Sequence, residues 1–256
     1  MTEYDALADV YDWLVPEELL TPEGSAAAFA PALAELPAGA RVLDCAAGTG
    51  QLAVGLALRG FAVSATDASN GMIARTRALA ARVGAAVHAE AVAWEDLPAR
   101  PWAGTFDAVL CVGNSLVHAA GRDRRRAALA AMAGVLREGG LLLVTSRNWE
   151  ALRAARPGLE VADALVDRAG GRGLVIRAWT LPEAWDARHT LDVAVAVIAT
   201  AGEVRTVAER LVFWPFTHEE LHDDLRAARL APASTTYAAG VDRYLVSARR
   251  VPVRAD

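Results

Sequence analysis

Val42-Leu43-Asp44-Cys45-Ala46-Ala47-Gly48-Thr49-Gly50-Gln51 is the stretch whose reading decides the fold. Aliphatic residues open a short buried strand, two glycines permit the sharp turn after it, and Leu52 to Leu58 continue at helical spacing. This strand-turn-helix begins a nucleotide-binding α/β fold: glycine lets the backbone approach a ligand, and the amides at the helix start favour negative charge. Gly48-Thr49-Gly50-Gln51-Leu52-Ala53 also satisfies the dinucleotide fingerprint G-x-G-x-x-A. Asp44 speaks against that ligand. A carboxylate at the strand end, four residues before Gly48, sits poorly beside a pyrophosphate and suits a ligand carrying a cationic amino-acid tail.

The chain's 256 residues suffice for one large α/β domain with an elaboration. A net charge of −5 offers no general attraction to a polyphosphate, and no apolar run reaches membrane-spanning length, so neither nucleic acid nor membrane is expected as a partner. The acidic start Met1-Thr2-Glu3-Tyr4-Asp5 lacks the basic and apolar regions of a secretory signal, and the protein is read as cytoplasmic. Cys45 and Cys111 fall in neighbouring strands as small core residues, and two cysteines make no zinc cluster. All 26 basic residues are Arg. Without any Lys, the phosphate-binding lysine of a P-loop and a Lys Schiff base both drop out.

Tyr4, Leu7, Ala8, Tyr11, Leu14 and Val15 share one face at α-helical spacing up to Pro16. They are read either as a helix packed on the core or, because two tyrosines give polar tips, as a lid over a ligand. Thr21 and Pro22 are the N-cap and first-turn residue of another helix, which Pro31 kinks or stops. Phe61 to Asp67 form the second strand. Asp67, 19 residues after Gly48, stands where a carboxylate accepts hydrogen bonds from both hydroxyls of a ribose. Ser69 caps the helix that carries Met72 and Ile73. Ala85 to Glu90 make a third strand, followed by Ala93-Trp94-Glu95-Asp96.

Phe106 to Val112 form the fourth strand and lead into Gly113-Asn114-Ser115-Leu116-Val117-His118. Ligands of open α/β sheets bind beyond the carboxyl ends of strands, where this polar run lies. Arg122, Arg124, Arg125 and Arg126 read as the solvated start of an amphipathic helix through Leu136, which Gly139 and Gly140 stop. Leu141 to Ser146 give a fifth strand closing in Arg147-Asn148-Trp149. The alternation of strand and helix then fails. β-like runs at Leu174 to Leu181, Thr190 to Thr200 and Glu203 to Val212 predict an antiparallel insertion at the active-site edge. Thr217-His218-Glu219-Glu220-Leu221-His222 contains H-E-x-x-H, but Thr217 with Glu220 is equally a capping box for a helix ending near Leu230, and no third metal ligand is evident. Ser234 to Ala238 and Arg243 to Ser247 close the sheet. The chain thus divides into a helical lid (1–40), a core (41–149), an antiparallel pocket insertion (150–212) and a C-terminal part of the core (213–256).

With these pieces placed, the sequence resembles class I S-adenosylmethionine-dependent methyltransferases along nearly its whole length, and among them the glycine N-methyltransferase family. The resemblance rests on Asp44 to Gly50, Gly113 to His118, Arg147-Asn148-Trp149 and the spacing of Thr190-Leu191-Asp192. It implies an α/β fold with a Rossmann-like seven-stranded, mostly parallel sheet, an antiparallel β insertion and an N-terminal helical lid. The implied cofactor is S-adenosyl-L-methionine. Ala46 and Gly48 would line it, Asp67 would hold the ribose, Trp94 would sit near adenine and the Val112 backbone near the methionine moiety. Asp44, Gly50, Ala68, Met72 and Ala93 count with them, and Tyr11 matches a tyrosine of the family's lid. Asn114 would face the acceptor, Arg147 would bind its carboxylate through the planar fork, and His118 is the nearest group to assist proton removal.

Three departures bear on the acceptor: Trp149 replaces a tyrosine, Val193 follows Thr-Leu-Asp where the family has another, and Ala93 replaces an asparagine. Each removes a polar group from around a small amino acid, so a larger or more apolar amine than glycine is expected. An O- or C-methyltransferase of a specialised metabolite, a non-enzymatic cofactor-binding module and, more distantly, a dinucleotide oxidoreductase remain as alternatives, and the oligomeric state is left open.

Overall fold

The computed structural model describes residues 6–168 and 171–252. Two 3-10 turns, Ala8–Trp13 and Glu17–Leu19, precede α1 (Pro22–Leu33). The chain then alternates through β1 (Arg41–Asp44), α2 (Gln51–Leu58), β2 (Ala62–Asp67), α3 (Asn70–Val83), β3 (Val87–Ala91), β4 (Phe106–Cys111), α4 (Gly121–Val135) and β5 (Leu136–Arg147). After α5 (Trp149–Ala155) come β6 (Leu159–Val161), β7 (Val166–Arg168), β8 (Gly171–Thr180), β9 (His189–Ile198) and β10 (Val204–Phe213). α6 (His218–Ala227), β11 (Leu230–Thr235) and β12 (Arg243–Arg250) complete it.

The central sheet has the order β11-β12-β5-β4-β1-β2-β3. β3, β2, β1, β4 and β5 are parallel neighbours, while β12 runs antiparallel to both β5 and β11. This is the expected Rossmann-like, seven-stranded, mostly parallel sheet. Its inner strands are covered on both faces, which is why Val42 to Asp44 and Ala108 to Cys111 are buried without alternation. Strand order reverses between β1 and β4, and the carboxyl ends there open a crevice. The expected antiparallel insertion is a second sheet, ordered β10-β9-β8-β6 with β7 on β8. Along β9, His189, Leu191, Val193, Val195 and Val197 are buried and alternate with half-exposed residues, so one face of this sheet packs on the core.

Several local expectations are corrected. Tyr4 lies outside the described residues, and the segment that follows it is a 3-10 turn whose buried residues are Leu7, Val10 and Trp13. Their spacing of three is the 3-10 period, and it leaves Tyr11 on a half-buried face. The segment is tied across the molecule: Trp13 Nε1 donates to the Val166 carbonyl, Arg168 Nε donates to the Asp12 carbonyl, and Arg75 pairs with Asp12 at 3.3 Å. Gly173 makes room for it, since a Cβ there would lie 2.1 Å from Trp13 Cδ1.

Pro31 does not itself end α1, which runs two residues further to Leu33; so near the helix end it removes only one late hydrogen bond. α4 ends at Val135 before the glycines are reached. Pairing jumps from Phe106↔Leu136 to Ala108↔Leu141, so residues 137–140 form an excursion within β5, with Gly139 at φ +70°. The arginine run is solvated as expected at Arg122, Arg124 and Arg126, and the exception is Arg125. Arg125 is buried with Nη2 2.7 Å from Oδ2 of buried Asp224, and Arg122 and Arg126 close on Oδ1 at 2.9 and 2.7 Å. Three guanidiniums thereby clasp α4 to α6. That helix ends at Ala227, ahead of the expected Leu230, because Arg229 turns the chain at φ +60° into β11.

Candidate functional site

The turn from β1 to α2 is held by contacts that only its sequence allows. Gly50 caps α2 at φ +86°, and a Cβ there would lie 2.7 Å from Thr76 Cγ2 and 2.9 Å from Thr76 Cα. Thr76 in turn donates its hydroxyl to the Gly48 carbonyl at 3.0 Å. The Gly48 amide donates to Asp67 Oδ2 and the Ser69 amide to Asp67 Oδ1, both at 2.9 Å, so each carboxylate oxygen is oriented. The Ala46 amide donates to Asp44 Oδ1 at 3.4 Å. Loop amides that in a dinucleotide site would face phosphate are here turned onto the chain's own carboxylates.

Asp44 is 1% exposed, and its carboxyl is pushed up to about 7, by burial first and then by the charge of Asp67, against the lowering effect of the Ala46 amide. A buried carboxyl of this kind ionises readily only when a cation joins it.

A cleft of about 490 Å³ opens from this turn. One wall is Cys45, Ala46 and Asp67 to Ser69; the second is Ala93 to Glu95; the third is Ser115 and His118 to Ala120, continued by Arg124, Ala127 and Ala128 of α4. Trp94 begins a 3-10 turn, and its Nε1 donates to the Cys45 carbonyl at 2.8 Å, which fixes the indole plane against the β1 loop. His118 Nδ1 lies 2.9 Å from the Val212 carbonyl, so that nitrogen carries the proton and donates. Its ring packs 5.0 Å from that of Phe213.

Of the residues singled out in the sequence, Ala46, Asp67, Ala68, Ala93, Trp94 and His118 lie on the cleft walls. Asp44, Gly48 and Gly50 form the loop behind them. Met72 is buried in the first turn of α3, its amide on the Ser69 hydroxyl at 3.1 Å. The Val112 carbonyl accepts from the Ser115 hydroxyl at 2.7 Å. Asn114 and Arg147 are brought together beyond the ends of β4 and β5: Asn114, at φ +66°, accepts the Arg147 amide on Oδ1 at 2.8 Å. The half-buried Arg147 side chain meets Asp242 at 3.3 Å and lies 5.5 Å from the centre of the Trp179 ring. At Tyr11, burial first and then the Asp67 carboxylate raise the phenol, while Arg243 lowers it.

Sequence reasoning missed Cys45, Ser69, Glu95, Ser115 and Arg124 as cleft residues. Ser115 stood within the polar run that was singled out, whereas Arg124 was hidden in a charge run assigned to solvent. The H-E-x-x-H segment forms its capping box, with Thr217 Oγ1 accepting the Glu220 amide at 3.1 Å and Glu220 Oε2 accepting the Thr217 amide at 2.9 Å. Among the described residues no cluster of three or more His, Cys, Asp or Glu is placed to hold a metal, and no helix is long and apolar enough to cross a membrane.

Residues 42–140 match the family described as methyltransferase domain. Over 115 residues the chain is 39% identical to the glycine/sarcosine N-methyltransferase of Parasynechococcus marenigrum, covering 44% of this chain and 40% of that protein. The chain thus spans about two fifths of the length of the curated relatives it matches first. An S-adenosylmethionine-dependent methyltransferase from Clostridium acetobutylicum superposes with a TM-score of 0.78 at 15% identity, over 98% of this chain and 100% of that one. An S-adenosylmethionine-bound amino pentose methyltransferase from Micromonospora echinaspora gives 0.72 at 22% identity, over 98% and 99%. At these identities the two structures share the fold with this chain.

Proposed function

We propose that this chain, which carries a class I S-adenosylmethionine-dependent methyltransferase domain over residues 42–140, methylates the nitrogen of a small amine or amino-acid-like acceptor. The observation that carries the reading is the turn after β1, whose Ala46 and Gly48 amides are given to Asp44 and Asp67. That cradle attracts a cation, and a pyrophosphate would meet two carboxylates in it. When bound, the cofactor supplies a methyl group made electrophilic by a sulfonium.

Asp44 would hold the cofactor's ammonium and Asp67 its ribose. Trp94, Ala68 and Ala93 would border adenine, with Ala46, Gly48, Gly50, Met72 and Val112 shaping the cradle and Tyr11 covering it. The acceptor side falls to Asn114, which fixes the Arg147 backbone, and to Arg147, which anchors an acidic group. His118, with its Nδ1 proton committed to Val212, would accept the amine's proton through Nε2. Holding two reactants in line and excluding water supplies much of the acceleration of such a displacement, so no strong base is needed for a neutral amine. Buried, apolar Val193 offers no hydrogen bond to a small amino acid, which supports an acceptor larger or more apolar than glycine.

The test has two parts. Calorimetry with S-adenosylmethionine, S-adenosylhomocysteine and NADH in parallel should give binding of the first two alone. A panel of amines, phenols and enols is then assayed for S-adenosylhomocysteine release. Turnover of amines supports the proposal, and phenols or enols reacting while amines stay inert would transfer it to an O- or C-methyltransferase. For a responsive amine, Arg147→Ala should raise KM at least tenfold and leave cofactor affinity within twofold. Equal loss of both would remove Arg147 from the acceptor side.

A further inference from the structure

Arg177 occupies a position where the pattern of β8 calls for an apolar side chain. Gly173, Val175, Arg177 and Trp179 share one face of that strand, and it is the face on which Gly173 and Val175 are buried. Inward-pointing charges commonly guard edge strands. β8 is not an edge, since β9 and β6 flank it. Arg177 is half-buried, and its guanidinium makes no hydrogen bond or ion pair among the described residues.

Two further guanidiniums are near. Arg243 on β12 stands directly opposite Arg147 on β5, a pairing of like charges that weakens a sheet unless something else compensates it. Asp242 is shared between them, 3.3 Å from Arg147 and 3.6 Å from Arg243. Glu160, opposite Arg177 across β6 and β8, accepts the Trp179 indole N–H at 3.1 Å. Three guanidiniums therefore share two carboxylates, and one positive charge is left over. Beside them the buried indole N–H of Trp149, packed edge-on against Trp179, has no hydrogen-bond partner among the described residues. Burial first lowers the pKa of both Arg147 and Arg177; Arg243 and Arg177 lower that of Arg147 further while Asp242 and Glu160 raise it, and at Arg177 Glu160 raises it and Arg243 lowers it.

We propose that Arg177, carried by the antiparallel sheet, closes on an oxyanion of the acceptor together with Arg147 and Arg243, so that the acceptor is an acid-bearing amine. The inference rests on the reading of Arg147 given above and adds two specificity-determining residues to it. A carboxylate or a phosphate would balance the surplus charge and receive the paired donors that a guanidinium offers.

The experiment is thermal melting of the full chain, with and without saturating S-adenosylhomocysteine, in titrations of sodium acetate and of inorganic phosphate against chloride at matched ionic strength. A site for the folded state stabilises it saturably. We expect one of the two anions to raise Tm saturably, acetate if the group is a carboxylate and phosphate if it is a phosphate. Arg177→Gln and Arg243→Gln should each raise the half-saturating concentration at least fivefold, Arg177→Lys less, and exposed Arg205→Gln not at all. Without anion, Arg177→Gln should melt at or above the wild-type temperature because a repelling charge is gone; a merely structural arginine would lower it.

No saturable shift with either anion, or shifts unchanged in Arg177→Gln and Arg243→Gln, overturns the proposal. If the anion response stands while S-adenosylhomocysteine produces no shift, the methyltransferase reading fails instead.

Discussion

The ligand-facing edge of the central sheet carries opposite charge at its two ends. Where β1 and β2 finish, the groups are carboxylates, Asp44 and Asp67, fed by backbone amides. Where β5 finishes and β12 begins they are guanidiniums, Arg147 and Arg243, with Arg177 brought over from the second sheet. Between the two ends lies the turn after β4, with Gly113 and Asn114. Under the proposed assignment, a sheet edge so divided would sort two reactants by charge, a cation on the β1 side and an anion on the β5 side. Asp44 at one end and Arg147 and Arg177 at the other are desolvated against their own charge, which weakens the free protein and strengthens whatever neutralises it.

The sharpest way to separate the two ends is Gly50→Ala. An alanine there must hold a left-handed backbone and also displace Thr76, which together should lower stability by about 2–5 kcal/mol. At a temperature where the variant remains folded, urea titration should show that loss and calorimetry should show no cofactor binding. The anion response of the arginine end should persist. Disappearance of both responses from a folded variant would mean that the ends are one cooperative site.

Asp44 gives the next largest effect, through pH. Its carboxyl titrates at about 7 in the folded chain against an ordinary value of 3.8, so the folded state holds the proton more tightly. The stabilisation linked to that proton is complete below about pH 4 and is lost as pH rises through about 7. A cation bound at Asp44 favours the carboxylate and reverses the preference. Cofactor affinity should therefore climb with pH toward 7, approaching about tenfold per unit, and level off above it. Asp44→Asn should flatten this profile, weaken binding at pH 8 and make the ligand-free protein more stable there. Calorimetry from pH 5.5 to 8.5 checks it, and identical profiles in the two proteins would put the cationic tail elsewhere.

The parallel half of the fold was legible because its signals are local. The glycine turn, the Ser69 and Thr21 caps and the aliphatic runs of β1, β2 and β4 each lie within a few residues of the feature they specify. The failures have two causes, a distant partner and a local period read wrongly. The burial of Arg125 within an otherwise exposed arginine run was missed because the partner that buries it, Asp224, is 99 residues away. The first turn was misread because Leu7, Val10 and Trp13 repeat every three residues, and a search at α-helical spacing gathers Tyr11 instead. The same division runs through the site. Asp44 and Asp67 could be found from spacing, since both lie within the first two strands of one motif. Arg177 offered only one clue, an arginine in phase with Val175 and Trp179, and it becomes legible once β8 is known to be an inner strand.

The smallest effect is expected at Trp94, whose contribution to the acid end is one hydrogen bond and one ring face. Trp94→Phe keeps a ring but removes the donor that meets the Cys45 carbonyl at 2.8 Å. A neutral hydrogen bond of this kind is worth about 0.5–1.5 kcal/mol net, so cofactor affinity, which depends on the indole plane that the bond fixes, should fall by no more than roughly tenfold. The acceptor's KM and the anion response should not change, because neither involves the wall that Trp94 forms. Trp94→Ala should lose more, since the face that would stack on adenine goes too. If Trp94→Phe raised KM for the acceptor and left cofactor affinity alone, the cleft beside Trp94 would belong to the acceptor, and the assignment of ligands to the two ends of the sheet would have to be exchanged.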